Sequence, residues 1–137
     1  MDRLFAGFAS SVAGMAAERK RMEVISANLA NANTVGPNGP YVRKSVVFEE
    51  VLGKANSRFG GVQAVHVYDD TVSEHPRVLD PGHPYADKEG YVTRPNVQVM
   101  FEMVDLMMAR RAYSANLAAF QSWRSMLRDA ISSIGRR

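Results

Sequence analysis

The stretch that decides the fold runs from Asn96 to Ile134, NVQVMFEMVDLMMARRAYSANLAAFQSWRSMLRDAISSI, and contains neither glycine nor proline. Large apolar residues recur in it every seven positions, at Tyr113, Phe120, Leu127 and Ile134, which is the spacing of a helix that packs along one seam. At about 1.5 Å per residue such a helix is roughly 55–60 Å long, about twice the width of a compact domain of this size. The stretch therefore predicts a long helix that extends beyond an ordinary core.

A second stripe of small or flexible side chains follows another face of this helix, at Val104, Met108, Ala112, Ala115, Ala119, Ser122, Met126 and Ala130. A helix with two such faces buries only one of them against a single partner, so we expect neighbouring chains on the second face. Arg94-Pro95-Asn96 predicts where the helix begins, because proline disfavours helix in the preceding residue and asparagine can cap. Gly135 predicts where it ends.

The beginning of the chain carries a matching seven-residue repeat, formed by Phe8, Met15, Met22 and Leu29. Two helices with this pattern at opposite ends of one short chain favour an antiparallel coiled-coil pair. The segment between them then becomes an insertion whose two ends lie close together.

The predicted fold is mainly α with a small β subdomain, in which the two long helices flank a short β-sheet insertion. The N-terminal helix is expected in residues 1–35, the β-rich middle region and its loops in residues 36–95, and the C-terminal helix in residues 96–137. Within the middle region, the residue pattern predicts one sheet of about four strands. The strands are Tyr41–Phe48, Gly61–Tyr68, Arg77–Leu79 and Tyr91–Thr93, and Gly53–Gly61 is the loop between the first two.

Turn-forming residues mark the points where the chain leaves the first helix and approaches the second. Asn28, Asn31 and Asn33 compete for backbone hydrogen bonds and therefore predict the helix exit. Before the second helix the sequence is dense in prolines and glycines, which favour rigid turns. The residues expected to shape this approach are Asp80, Pro81, Gly82, Pro84, Gly90, Pro95 and Asn96.

The composition limits the size of the core, the kinds of metal and disulfide site, and the partners that the chain can have. With 137 residues and 46% apolar content, the chain has room for one core and is not fully disordered. The absence of cysteine excludes disulfides and thiolate metal sites. The net charge of +3 is compatible with nucleic acid or an anionic membrane. However, the basic run Arg19-Lys20-Arg21 lacks interleaved aromatic residues, which favours a solvated or inter-subunit face.

Membrane insertion and a cleaved leader are both disfavoured by the sequence. No segment has the roughly 20 consecutive apolar residues of a membrane span. Leu4–Ala17 is apolar, but it lacks the charge pattern and the cleavage site of a signal peptide. We therefore interpret it as part of the mature protein.

The sequence carries no recognisable catalytic or cofactor motif. His66, His75 and His83 lie in the middle region, but their spacing matches no known metal motif, and a small hydrolase would need one of them. There is no glycine-x-serine-x-glycine elbow and no glycine-rich phosphate loop. We therefore predict that the protein is not an enzyme and that it binds no cofactor, metal or small-molecule substrate.

Three segments resemble a known family. Ile25–Thr34, ISANLANANT, resembles the N-terminal signature of bacterial flagellar basal-body rod proteins, which rod and hook components share. Val97–Asn116 is similar to the C-terminal signature of the same family, and Asp80–Val97 resembles the element that marks proximal rod proteins. The resemblance covers both ends of the chain in the expected order, whereas residues 44–75 match no motif of the family.

The resemblance implies a structural subunit of the flagellar rod, the drive shaft that crosses the periplasm and transmits torque. It also implies export through the flagellar type III apparatus without a cleaved signal peptide. The implied partners are further copies of this chain, other rod proteins and the basal-body protein that joins the rod to the membrane ring, with no nucleic acid. The two seven-residue repeats would then carry the assembly contacts.

One alternative of a different class remains open from the residues alone. A basic helical protein that binds nucleic acid or an anionic membrane surface would have the same net charge, and its binding would depend strongly on salt. That alternative leaves the two seven-residue repeats without a purpose.

Overall fold

Two long helices dominate the computed structural model, which describes residues 2–51 and 61–135, with side chains from residues 7–49 and 66–135. Helix α1 spans Asp2–Ala30 and helix α2 spans Val99–Ile134. Between them lie six short strands: β1 (Val35–Gly36), β2 (Gly39–Pro40), β3 (Lys44–Val51), β4 (Gly61–Asp69), β5 (Arg77–Leu79) and β6 (Tyr91–Thr93). The predicted fold, mainly α with a small β part between two terminal helices, is confirmed.

The helices pack antiparallel, as the seven-residue repeats predict. Near one end of the pair the Phe8 ring lies 5.1 Å from the Phe120 ring and 4.6 Å from the Trp123 ring, measured between centroids. Near the other end Arg21 Nη2 lies 3.7 Å from Asp105 Oδ1. Residue numbers therefore rise along α1 as they fall along α2.

Helix α1 lies between α2 and the β3–β4 hairpin and contacts both. Its buried apolar side chains are small or branched, Ala17, Val24 and Ile25, and α2 contributes the fully buried Ala109. Gly14 permits a close approach, because a Cβ atom there would lie only 2.7 Å from Asn116 Nδ2. The core is therefore thin and is built on α1.

The predicted seam residues differ in burial along the helix pair. Phe8, Met15, Met22, Leu29, Tyr113 and Phe120 are half-buried. Leu127 is 39% exposed and Ile134 is 76% exposed. Since Phe8 lies opposite Phe120 and Trp123, the antiparallel register carries Ile134 past the start of α1. The role of these eight residues in assembly stays a prediction.

The strands do not form the predicted four-stranded sheet. Within the described residues they form three separate antiparallel pairs, β1–β2, β3–β4 and β5–β6. Asp70 explains part of the separation, because its carboxylate accepts hydrogen bonds from the backbone of Val72 and Ser73 and turns the chain away after β4. The turn after Gly36 is closed by the two-residue strands β1 and β2, with Gly39 at a φ of +110°. Residues 53–60 of the predicted loop lie outside the described residues.

The helix ends show which predicted boundaries hold. Helix α1 ends at Ala30, within the predicted asparagine-rich exit. Gly135 caps α2, donating its backbone N–H to the Ile131 carbonyl at 3.2 Å. The predicted start at Asn96 is wrong by three residues, because α2 begins after Gln98 and the Asn96 side chain binds other segments. Among the described residues, no helix is long and apolar enough to cross a membrane.

Candidate functional site

A buried asparagine near the end of α1 joins three segments of the chain. The Asn28 side chain is completely buried. Its amide Nδ2 donates to the Lys44 carbonyl at 2.8 Å and to Glu102 Oε2 at 3.1 Å. Its Oδ1 accepts from the Lys44 backbone N–H at 2.9 Å and from the Tyr41 hydroxyl at 3.0 Å. Asn28 thereby fixes the end of α1 against both the beginning of β3 and the first turns of α2.

A charged pair lies directly beside Asn28. Arg43 Nε donates to Glu102 Oε1 at 2.5 Å, and the Glu102 side chain is only 1% exposed. Arg43 also donates through Nη1 to Ser45 Oγ at 2.8 Å, and its guanidinium lies 3.8 Å from Asp70 and 3.9 Å from Asp105. A buried carboxylate is tolerated when it is paired and hydrogen-bonded, and Glu102 meets both conditions.

Asn96 closes the same cluster from the side of the approach to α2. Its Oδ1 accepts from the Arg43 backbone N–H at 2.7 Å. Its Nδ2 donates to the carbonyls of Asp70 at 2.8 Å and Ser73 at 3.2 Å. We name the set Asn28, Tyr41, Arg43, Asn96 and Glu102 the polar junction. It ties together α1, the beginning of β3, the turn after β4 and the beginning of α2.

Two ionisable groups at or beside the polar junction have shifted pKa values. Burial, followed by the charges of Asp69 and Glu102, raises the pKa of the Tyr41 hydroxyl. Hydrogen bonds from the hydroxyl and the backbone N–H of Ser73 lower the pKa of Asp70. The raised pKa keeps the Tyr41 hydroxyl protonated, so that it can donate to Asn28. The lowered pKa keeps Asp70 ionised, so that it accepts the hydrogen bonds from Ser73.

The other predicted turn residues lie elsewhere. Asp80, Pro81, Gly82, Pro84 and Gly90 belong to the loop that joins β5 to β6. Gly90 has a φ of +83°, and a Cβ atom there would lie 3.1 Å from Pro81 Cγ, so this position requires glycine. Asp80 faces Arg94 Nη2 at 3.7 Å. These residues shape a turn that stands apart from the polar junction.

Three further residues are predicted to shape the helix exit or the approach to α2, namely Pro95, Asn31 and Asn33. Pro95 is buried beside Asn96. The Asn31 side chain, just beyond the end of α1, donates to the Ala27 carbonyl at 2.9 Å. Asn33 is exposed.

Arg43, Glu102 and Tyr41 are functional residues that sequence reasoning missed. Arg43 lies in the predicted strand Tyr41–Phe48, which has mixed polarity, and precedes the observed β3. Glu102 interrupts an apolar run. These two residues meet across 59 residues of sequence. The only local signal was that acid, which interrupts the apolar run at the beginning of α2.

The first turns of α2 expose a large apolar surface outside the polar junction. Met100, Phe101, Met103, Val104, Met107 and Met108 are 44–75% exposed. Monomeric proteins rarely expose contiguous apolar patches of this kind unless a partner covers them. We name these six residues the α2 patch.

Comparison with known proteins assigns the chain to a family. A family described as flagella basal body rod protein matches residues 8–37, and one described as flagellar basal body rod FlgEFG protein C-terminal matches residues 88–133. The chain is 44% identical over 115 residues to the flagellar basal-body rod protein FlgC of Salmonella typhimurium, covering 82% of this chain and 84% of that protein. It is 38% identical to FlgC of Bacillus subtilis, covering 88% and 91% of the two chains.

A more distant relative spans nearly the whole chain. FlgC of Agrobacterium fabrum is 35% identical over 136 residues, covering 96% of this chain and 95% of that protein. The chain belongs to the flagellar basal-body rod proteins of the FlgC type. As a member of the FlgC type it is a structural subunit of the rod, and the predicted resemblance to proximal rod proteins is confirmed.

The two matched regions contain three of the five residues of the polar junction. The N-terminal match includes Asn28, and the C-terminal match includes Asn96 and Glu102. In this FlgC-type chain, Arg43 bonds both Asn96 and Glu102 but lies outside both matches. The alternative of a protein that binds nucleic acid or a membrane receives no support from these relatives.

The three histidines of this FlgC-type protein lie in separate local settings. His75 Nδ1 bonds the Arg94 carbonyl at 2.9 Å, and His83 accepts from the Tyr85 backbone N–H at 3.2 Å. His66 is exposed on β4. Within the described part of the chain, no group of three or more histidines and acids could hold a metal ion. The relatives are structural rod proteins rather than enzymes.

Proposed function

We propose that this chain builds the proximal rod by packing α2 against neighbouring subunits, so that a tube of aligned helices transmits torque. The observation that carries the proposal is the α2 patch, which α1 leaves uncovered although it is strongly apolar. The same helix exposes Met126 at 61% and Ile131 at 62% farther along. Neighbouring helices that cover both regions would bury this surface from end to end.

The polar junction supports the stiffness that such a role needs. Side chains from α1, the beginning of β3 and α2 are locked by hydrogen bonds of 2.5–3.1 Å around Glu102 and Asn28. Satisfied buried polar networks specify a single arrangement of the elements that they join. The subunit would therefore pass on force as one body.

The proposed partners are further copies of this chain, other rod proteins and the basal-body protein that joins the rod to the membrane ring. The proposed location is the rod within the periplasm. Export would use the flagellar type III apparatus, with the N-terminal segment retained because it forms α1. These points rest on the family to which the chain belongs and on the burial of α1 within the fold.

The direct test is to isolate basal bodies from a strain that lacks this gene and from the complemented strain. Rods should be missing without the gene and present with it, and mass spectrometry should find the intact N-terminal peptide in the rod fraction. Normal rods in the deletion strain would overturn the proposal. An N-terminus cleaved within α1 would overturn the proposed route of export.

A pair of matched variants tests the α2 patch. Met107→Glu places a charge on the patch, where the native side chain is 63% exposed. We expect the variant protein to fold and to be exported but to give few rods. Thr93→Glu, at an exposed position on β6, is the control and should assemble normally. Normal swimming of the Met107→Glu strain would show that the patch is not an assembly surface.

A further inference from the structure

An open groove of about 720 Å³ lies beside the polar junction. Residues 73–76 and residues 95–98 line the groove. Phe101 also lines the groove and is 67% exposed. The groove therefore combines a polar floor with a large aromatic side chain that the chain itself leaves largely uncovered.

An apolar stripe continues from the groove along α2. Phe101, Val104 and Met108 are spaced by three and four residues, so they lie on one face of the helix. They are 67%, 44% and 59% exposed. The stripe extends the groove by about 10 Å, which makes a surface long enough for two turns of a partner helix.

The region around the groove is acidic. The groove is lined by three acidic side chains, Asp70, Glu74 and Glu102, and by one basic side chain, Arg43. Glu74 lies in the groove wall and is exposed, and Asp70 lies deeper in it. Complementary charge is what selects partners and orients them, so a matching partner is basic as well as apolar.

The far end of α2 has this complementary chemistry. Residues 121–137 carry four basic side chains and one acidic one. Leu127, Ile131 and Ile134 form a stripe that is 39%, 62% and 76% exposed. Arg124 and Arg128 are exposed close to that stripe. The C-terminal end of the helix is therefore a basic, apolar segment that the described part of the chain leaves largely uncovered.

We infer that the groove and its stripe receive the basic, apolar C-terminal end of the α2 helix of a neighbouring rod subunit, packed head to tail. This inference rests on the proposed function and names the contact through which it works. A chain cannot fill its own groove, because Phe101 and Ile131 lie about 45 Å apart along one continuous helix. A heterologous contact of this kind gives a ring if the rotation between subunits closes and an open helical assembly if it does not, and a rod requires the open form.

Photochemical cross-linking in swimming cells tests the contact. Phe101 is replaced by the photoreactive residue p-benzoyl-phenylalanine, which has a similar shape, and the cross-linked peptide is identified by mass spectrometry. We expect a peptide from the basic C-terminal end of α2 of a second copy of this chain. Cross-links only to other segments, or none in assembled rods, would overturn the inference. If the replacement prevents rods from forming, Gln98, an exposed residue of the groove, takes the photoreactive residue instead.

Charge reversal separates this inference from the proposed function. Glu74→Lys should lower the cross-link yield by about tenfold, because like charges would then meet. Glu89→Lys makes the same charge change on the exposed β5–β6 loop, outside the groove, and should leave the yield unchanged. If the protein is present in rods but both variants cross-link equally, only the head-to-tail contact fails. If it is absent from rods, the proposed function itself fails.

Discussion

The side-chain amide of Asn28 donates a hydrogen bond of 3.1 Å to the carboxylate of Glu102, 74 residues later in the chain. Both side chains are buried. This bond directly joins the last turn of α1 to the first turn of α2. The N-terminal and C-terminal signatures of the family meet at this point.

Asn28→Ala should be strongly destabilising. The substitution leaves the backbone N–H and carbonyl of Lys44 without their partner and removes one donor to a buried carboxylate. We expect a loss of about 2–4 kcal/mol in the free energy of unfolding, measured by urea denaturation followed by circular dichroism. Asn33→Ala, at an exposed position, is the control and should change little. Equal midpoints for the two variants would contradict the proposed importance of Asn28.

Tyr41→Phe should change how stability depends on alkaline pH. The folded protein raises the pKa of Tyr41 above its ordinary value of 10.0, chiefly through burial. The stabilisation linked to this shift is fully present below pH 10 and is lost as the pH rises through the higher folded pKa. Wild type should therefore lose more stability than Tyr41→Phe between pH 9 and 11, measured by thermal denaturation. Parallel curves for the two proteins would rule out this linkage.

Gly14→Val should displace the Asn116 side chain and loosen the packing between the helices. A Cβ atom at Gly14 meets Asn116 Nδ2 at 2.7 Å, which is closer than real Cβ contacts allow. We expect a loss of about 1–3 kcal/mol in the free energy of unfolding. At Gly7 a Cβ atom meets nothing within 4 Å among the described residues, so Gly7→Val should be tolerated. The two variants are compared by urea denaturation. Equal unfolding midpoints would argue against the close approach at Gly14.

Phe120→Asp should separate the far end of the helix pair. The half-buried Phe120 ring packs 5.1 Å from Phe8, and a carboxylate there would have to remain in water. We expect a loss of about 2–4 kcal/mol in the free energy of unfolding and the failure of rod assembly. Gln121→Asp, at the adjacent exposed position, controls for the added charge in the denaturation experiment. Wild-type stability and swimming of Phe120→Asp would count against the helix seam.

The long helices were predictable because their signal is periodic and local. The seven-residue repeats identify both helices, and the observed contact between Phe8 and Phe120 joins one repeat to the other. The sheet was not predictable in the same way. Strand pattern alone does not say which strands pair, and the turn at Asp70 separates the β3–β4 hairpin from the three-residue strands β5 and β6.

The polar junction was only partly predictable. Asn28 and Asn96 are conspicuous in the sequence because asparagine is disfavoured in a helix interior, but local rules assign both to helix ends rather than to tertiary hydrogen bonds. Arg43 gave no such signal and Glu102 gave only the interruption of an apolar run, because an ion pair between distant segments has no local pattern. Sequence reasoning thus located two of the five residues and missed Tyr41 and the ion pair between Arg43 and the buried Glu102.

The measurement that tests the central claim most directly is a cryo-electron microscopy map of the intact basal body in which this chain can be traced. The α2 helices should run close to the rod axis, with the α2 patch covered by helices of neighbouring subunits. A map in which the α2 patch faces solvent, with the subunits joined only through their β hairpins, would contradict assembly through this helix.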